Sequence, residues 1–264
     1  MQLSVRRNRL VVAAFTLALV ALGGWAISAP PEAPKVSTYA PAEDLAAQWK
    51  ESLKGLKASV ADADQYKDDQ EKIAKEANAL VLVALALGLH DEPNAYQKSA
   101  AAMIKGAQGL AAANTFPAAG AAVAALENAG AAGADAAKLK WEKLASLPQL
   151  MKHVPNVNTK LKIKLNRFAK NSKDVAGLAA VLAVIAEGAM FDESPAKGDA
   201  QKIAQWYQFC QQMRDAAAAV NAGCHKKDAA ATQKANDRLQ QSCEDCHAVF
   251  KPAALANPAA AAKN

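Results

Sequence analysis

From Pro41 onward, apolar residues recur at three- and four-residue spacing, and no stretch alternates as a half-buried strand does. That period restricts the chain to an all-α fold. Ala supplies much of the 52% apolar content, and aromatics make up only 5%. Ala has the best helix propensity and little side-chain entropy to lose, so slim, closely packed helices are expected. Gly, Pro and short polar clusters divide the pattern into segments at about 42–61, 65–89, 94–113 and 117–131. After the break AGAAGADA a second set begins near Ala136 and is interrupted at Pro148. Its segments run about 148–170, 173–191, 199–224 and 228–249, with Pro155 placed to kink the first of them.

The two sets read as a degenerate repeat of about 100 residues. NALVLVALALGLHDE (78–92) resembles LAAVLAVIAEGAMFDES (178–194), so that Gly88 matches Gly188 and an acidic turn follows both. YQKSAAAMIKGAQGLAAA (96–113) resembles YQFCQQMRDAAAAVNAG (207–223), and WKESL (49–53) faintly echoes WEKLASL (141–147). Short connections favour antiparallel neighbours. The expected architecture is two tandem antiparallel four-helix bundles, 42–134 and 135–252, with 253–264 as a disordered tail.

Arg6, Arg7 and Arg9 precede an uncharged run from Leu10 to Ile27. This is the pattern of an export signal, and Ala26-Ile27-Ser28 before Ala29 offers a small-residue cleavage site. The run is also near bilayer length, so residues 1–28 are read as a signal peptide or an N-terminal membrane anchor. Either reading puts the body in the periplasm or another extracytoplasmic space. Residues 29–41, APPEAPKVSTYAP, form an extended linker. The formal net charge is +6, and the leader's three arginines contribute half of it. The remaining charges interleave, which excludes the dense basic footprint of a nucleic-acid binder.

Chemistry concentrates in Cys243-Glu244-Asp245-Cys246-His247. A C-x-x-C-H run reads as a c-type haem attachment. Thiols two residues apart can reach the two vinyl groups of one porphyrin, and the adjacent imidazole then meets the iron. A thioredoxin-like dithiol needs a strand–helix setting that is absent. A structural zinc site wants four ligands, with Cys224-His225 as a conceivable second half. That leaves a zinc-stabilised helical interaction protein as an alternative to one covalent haem c.

CEDCHAVFK (243–251), near the C-terminus and at the end of a fourth helix, resembles the cytochrome c′ family, the class II c-type cytochromes. The resemblance covers about residues 140–252. It implies a four-helix bundle with haem near one end. It carries over Cys243 and Cys246 as thioether attachment points and His247 as the proximal iron ligand. It further implies that Phe250 packs near the haem and that Lys251 places a positive charge beside it. The matching stretch of the first set, near 132–136, has no Cys or His, so the first bundle is expected to bind no haem covalently.

In the low-spin branch of that family, a Met early in the bundle's first helix closes the iron. SLPQLMKHVPNVNTKLK (146–162) resembles that segment and puts Met151 at the ligand position. Ordinary core packing is the competing reading, since Met fills irregular gaps. Met190, at the end of the second helix, is a weaker alternative. His153 is read as solvent-exposed and His90 as surface. Cys210 reads as a buried small hydrophobe, and Cys224 as a candidate for an intermolecular bond that would give a homodimer. Trp141, Trp206 and Tyr207 read as packing anchors, with Trp206-Tyr207 as an alternative pair flanking the porphyrin. Lys160, Lys162 and Lys164 form a solvated face or a docking surface for an acidic redox partner protein. His/Met-ligated iron suits electron transfer. An empty sixth position would instead suit binding of small gases such as nitric oxide or carbon monoxide. Neither role needs a catalytic acid, base or nucleophile, so the chain is not read as an enzyme.

Overall fold

The computed structural model describes residues 29–129 and 139–251, and every regular element among them is helical. There are eight α-helices: α1 Ala42–Ser59, α2 Ala63–Leu89, α3 Ala100–Ala111, α4 Phe116–Ala129, α5 Leu147–Leu165, α6 Phe168–Ala189, α7 Ala200–His225 and α8 Ala229–Phe250. Local chemistry sets their starts. Asp62 accepts from the Gln65 N–H, Asp199 from those of Gln201 and Lys202, and Asp228 from that of Ala231. Each carboxylate thereby satisfies a donor that the first helical turn leaves unpaired. Pro148 sits at the start of α5, where a missing N–H costs nothing. None of these helices is long and apolar enough to cross a membrane. The leader at 1–28, the stretch near 132–136 and the tail from 253 lie outside the described residues.

Two helices organise the core. Every residue from Ala77 to Leu87 in α2 and from Val175 to Ala189 in α6 is buried. A helix apolar on all sides must be covered on all sides. Accordingly α2 packs against α1, α3, α5 and α6, while α6 packs against α5, α7, α1 and α2. The contacts α1–α6 and α2–α5 join the N-terminal and C-terminal halves, with α2–α6 between them. One apolar cluster consequently runs through both halves. A smaller cluster, with Leu147, Met190, Ile203, Trp206 and Cys210, lies at the start of α5 and the end of α6.

Polar residues clasp the halves as well. Asp44 of α1 accepts a 2.6 Å hydrogen bond from Asn221 of α7, and His225 Nε2 lies 2.7 Å from the same carboxylate oxygen. Arg214 of α7 lies 2.7 Å from the fully buried Glu187 of α6, and its guanidinium sits 5.8 Å above the ring centre of Tyr39.

Several sequence expectations need correction. The third helix starts at Ala100, not near 94. There, Asn94 donates to the Leu87 carbonyl and Gln97 to that of His90, so side chains terminate α2 and occupy the connection. Residues 139–146 are not helical. They run back over the N-terminal half, with the Ser146 N–H donating to Asn78 and Gln108 donating to the Leu144 carbonyl. Trp141 therefore stacks on Phe191 outside any helix, and its echo of Trp49, which sits inside α1, is not structural. α5 ends at Leu165 and α6 begins at Phe168, five residues earlier than expected. His90 is buried, not on the surface. Its Nε2 lies 3.2 Å from the Ala40 carbonyl, and its Nδ1 accepts from the Glu92 N–H.

Gly88 is needed for close approach. A Cβ there would lie 2.4 Å from Leu139 Cδ1 and 2.6 Å from the Ala100 Cβ. Overpacking of this kind costs about 1–3 kcal/mol, against about 1 kcal/mol gained from Ala's helix propensity. Gly88→Ala should therefore lower the denaturation midpoint in urea, whereas Gly109→Ala, with open space around it, should not.

Asp91 pins the linker to the end of α2 by accepting from the Ser37 N–H at 2.9 Å and from its hydroxyl at 2.7 Å. These bonds favour the carboxylate and lower its pKa from the ordinary 3.8 to about 2. A depressed acid contributes stability above its unfolded pKa and loses it as pH falls through the folded one. The melting-temperature gap between wild type and Asp91→Asn should be constant near neutrality and close as pH falls from about 4 toward 2. A gap unchanged across that range would contradict the assignment.

Candidate functional site

The last two turns of α8 carry Cys243, Cys246 and His247, all partly exposed or intermediate in burial. They line a cavity of about 140 Å³ walled by α5, α6, α7 and α8. α5 and α8 do not pack closely along their length. Asn158 and Gln240 bridge them through a reciprocal pair of 2.8 Å hydrogen bonds. α5 contributes Met151, Val154 and Pro155 to the wall, and α6 contributes Ala186 and Ala189.

α7 supplies the floor with Trp206, Phe209, Cys210 and Met213. Their spacing of three, one and three residues marks one helical face. That spacing is the signal in the sequence that could have assigned them to the site, not merely to packing. Trp206 is fixed by a 3.1 Å hydrogen bond from its indole N–H to the Ala189 carbonyl. Phe250 meets Trp206 and Phe209 edge-on, at ring separations of 5.4 Å and 6.2 Å. Tyr207 turns away and donates to Glu193.

The other candidates fall as follows. Met151 faces the cavity. Met190 is buried in the adjoining cluster but does not line the cavity. Lys251 caps α8 and is exposed. His153 is 6% exposed and so is not the solvent-exposed residue expected. It lies on the face of α5 toward the N-terminal half, covered by residues 77 positions earlier, which no local pattern announces. Cys210 is buried, as read. Cys224 is 3% exposed, and burial pushes its thiol up to about 11, so it is not presented for an intermolecular bond. Ile163 is exposed between Lys162 and Lys164.

Pro155 has a specific consequence for Met151. A helical N–H at 155 would bond the carbonyl four residues earlier, which is that of Met151, and proline has none. The turn carrying Met151 is therefore loosened within α5.

Comparison of the chain with known protein families, with curated proteins and with solved structures gives no match.

Electrostatics favour neutral donors at the site. Burial raises the Cys243 thiol, and burial together with Cys243 pushes Cys246 up to about 12. Burial, then Lys251, lowers the His247 imidazole, which leaves a ring-nitrogen lone pair unprotonated near neutral pH. Among the described residues, the one group of three His, Cys, Asp or Glu whose ligand atoms converge within 4.8 Å is Glu43, Asp44 and His225. Cys243, Cys246 and His247 do not converge in that way, and His225 is engaged by Asp44 instead of facing them. Cys243, Cys246 and His247 supply three donors, one short of the four that a structural zinc site takes. The 140 Å³ cavity is smaller than a porphyrin, so a haem held there would extend beyond it.

Proposed function

We propose that this chain is an exported c-type cytochrome that carries one haem c on Cys243 and Cys246 and acts as an electron carrier. The observation that carries the reading is that Cys243, Cys246 and His247 from α8 and Met151 from α5 line the same apolar cavity. Haem bound there would supply one-electron ferric–ferrous chemistry. His247 would hold the iron from α8, and Met151 would close it from α5, the ligand pair that raises haem potential. Trp206, Phe209 and Phe250 exclude water from one side. Net addition of each S–H across a vinyl C=C, sulfur to one carbon and hydrogen to the other, would give the thioethers at Cys243 and Cys246.

In this reading α1–α4 and α5–α8 are two tandem antiparallel four-helix bundles, the second cytochrome c′-like. Support comes from the contacts between halves. If α1 and α2 correspond to α5 and α6, the α1–α6 and α2–α5 pairings exchange into one another, as in a two-fold interface. The exposed Lys162 and Ile163 would then offer a surface to an acidic redox partner.

The test is a pyridine haemochrome assay on protein matured in a host with haem-attachment machinery. Wild type should give one covalent haem per chain, and the pair Cys243→Ala with Cys246→Ala should give none. A colourless wild type would sink the proposal. A prompt carbon monoxide shift in the reduced wild type would replace the carrier by a gas-binding protein.

A further inference from the structure

A second, larger concavity lies on the opposite face of α5 from the haem-site candidate. It is a groove of about 760 Å³ between the halves, walled by α1 and α2 on one side and by α5 and α6 on the other. Its volume is that of a small-molecule site. Leu56, Leu80, Val83, Val157 and Val181 give it an apolar floor.

One polar cluster interrupts that floor. His153 lines the groove, is 94% buried by its 6% exposure, and makes no hydrogen bond among the described residues. Its Nδ1 lies 4.0 Å from Glu76 Oε2, too far for a hydrogen bond. The other Glu76 oxygen accepts from Ser52. The His153 ring nitrogens are not fully enclosed, so a polar group in the groove can reach them. A single hydroxyl seated between His153 and Glu76 can donate to the carboxylate and pair with the imidazole.

The surrounding charges select the head group. Three acids, Glu51, Glu76 and Asp174, and three lysines, Lys72, Lys160 and Lys164, line the groove, so its charges balance and favour neither an anion nor a cation. The head group is therefore neutral. A carboxylate acceptor favours the more acidic hydroxyl of a phenol over that of an alkyl alcohol, and the apolar floor takes a ring and tail. We propose that this groove is a binding site for a neutral amphiphilic phenol of the hydroquinone class, with its hydroxyl on His153 and Glu76. No haem enters this groove, so its ligand stands or falls apart from the function proposed above. A ligand there would lie one helix width, about 10 Å, from the cavity holding Met151.

Gly55 provides the decisive variant. It lines the groove within α1, and nothing lies within 4 Å of a Cβ built on it. Gly55→Leu should fill the groove while raising the melting temperature, because Leu is a far better helix former than Gly. The experiment is isothermal titration of the full chain, kept reduced, with a decyl-substituted benzohydroquinone and, separately, with dodecanoate. Saturable binding of the hydroquinone is expected, weakened about tenfold or more by Gly55→Leu and by His153→Ala. Dodecanoate should bind at least about tenfold more weakly. Absence of saturable hydroquinone binding would overturn the proposal. So would unaltered binding to folded Gly55→Leu, or dodecanoate binding as tightly as the hydroquinone.

Discussion

Reduced Met151→Ala protein should take up carbon monoxide promptly, with a full shift of its main visible band, while wild type and Met190→Ala should not. Met151 lines the cavity that holds Cys243, Cys246 and His247. Met190 is 1% exposed within the adjoining apolar cluster and lies outside that cavity. Truncating Met151 would remove the α5 methionine from the cavity wall, leaving Met213 of α7 as the other methionine that lines it. Truncating Met190 costs only packing, about 2–5 kcal/mol for a buried Met. The two variants therefore separate by spectrum, even though Met190→Ala should be the less stable. An unshifted band in Met151→Ala would remove the methionine from the account. A shift in wild type would make it ordinary core.

Arg214→Met should destabilise the fold by about 3–5 kcal/mol, the cost of leaving a buried charge without its partner. Glu187 is fully buried, and burial pushes its carboxyl above the usual range even with Arg214 at 2.7 Å. Glu187 Oε1 already has no hydrogen-bond partner among the described residues. Loss of the guanidinium would also release Asp215, 2.9 Å away, and the ring of Tyr39. The double variant Glu187→Met with Arg214→Met should recover most of the loss, because well-packed apolar residues of similar size replace a buried pair at little cost. Urea denaturation of wild type and the two variants measures this. Equal destabilisation of the single and double variants would show that packing of the Arg214 stem, and not the buried charge, carries the effect.

The α-class was legible in the 3.6-residue period. So was the centrality of α2 and α6, whose apolar runs leave no face for water. The starts of α7 and α8 were legible too, because Asp199 and Asp228 act within one turn. What was missed depended on distant partners. His90 is buried by Ala40, fifty residues earlier, and Asp44 is matched to Asn221 and His225 across the two halves. No local pattern encodes such pairings. The helix expected from Ala136 failed beyond 139 for the same reason: Asn78 and Gln108 bind the backbone at Ser146 and Leu144 and hold the segment against the N-terminal half. At the site, the C-x-x-C-H run named the α8 residues outright, whereas the α7 wall needed its helical spacing to be read together with that motif.

The most direct test is the intact mass of the mature protein, taken before and after acidified-acetone extraction. The account predicts a chain heavier than its polypeptide by one haem, with the added mass and the colour both surviving extraction. A mass equal to the bare polypeptide, or pigment lost to the solvent, would contradict it.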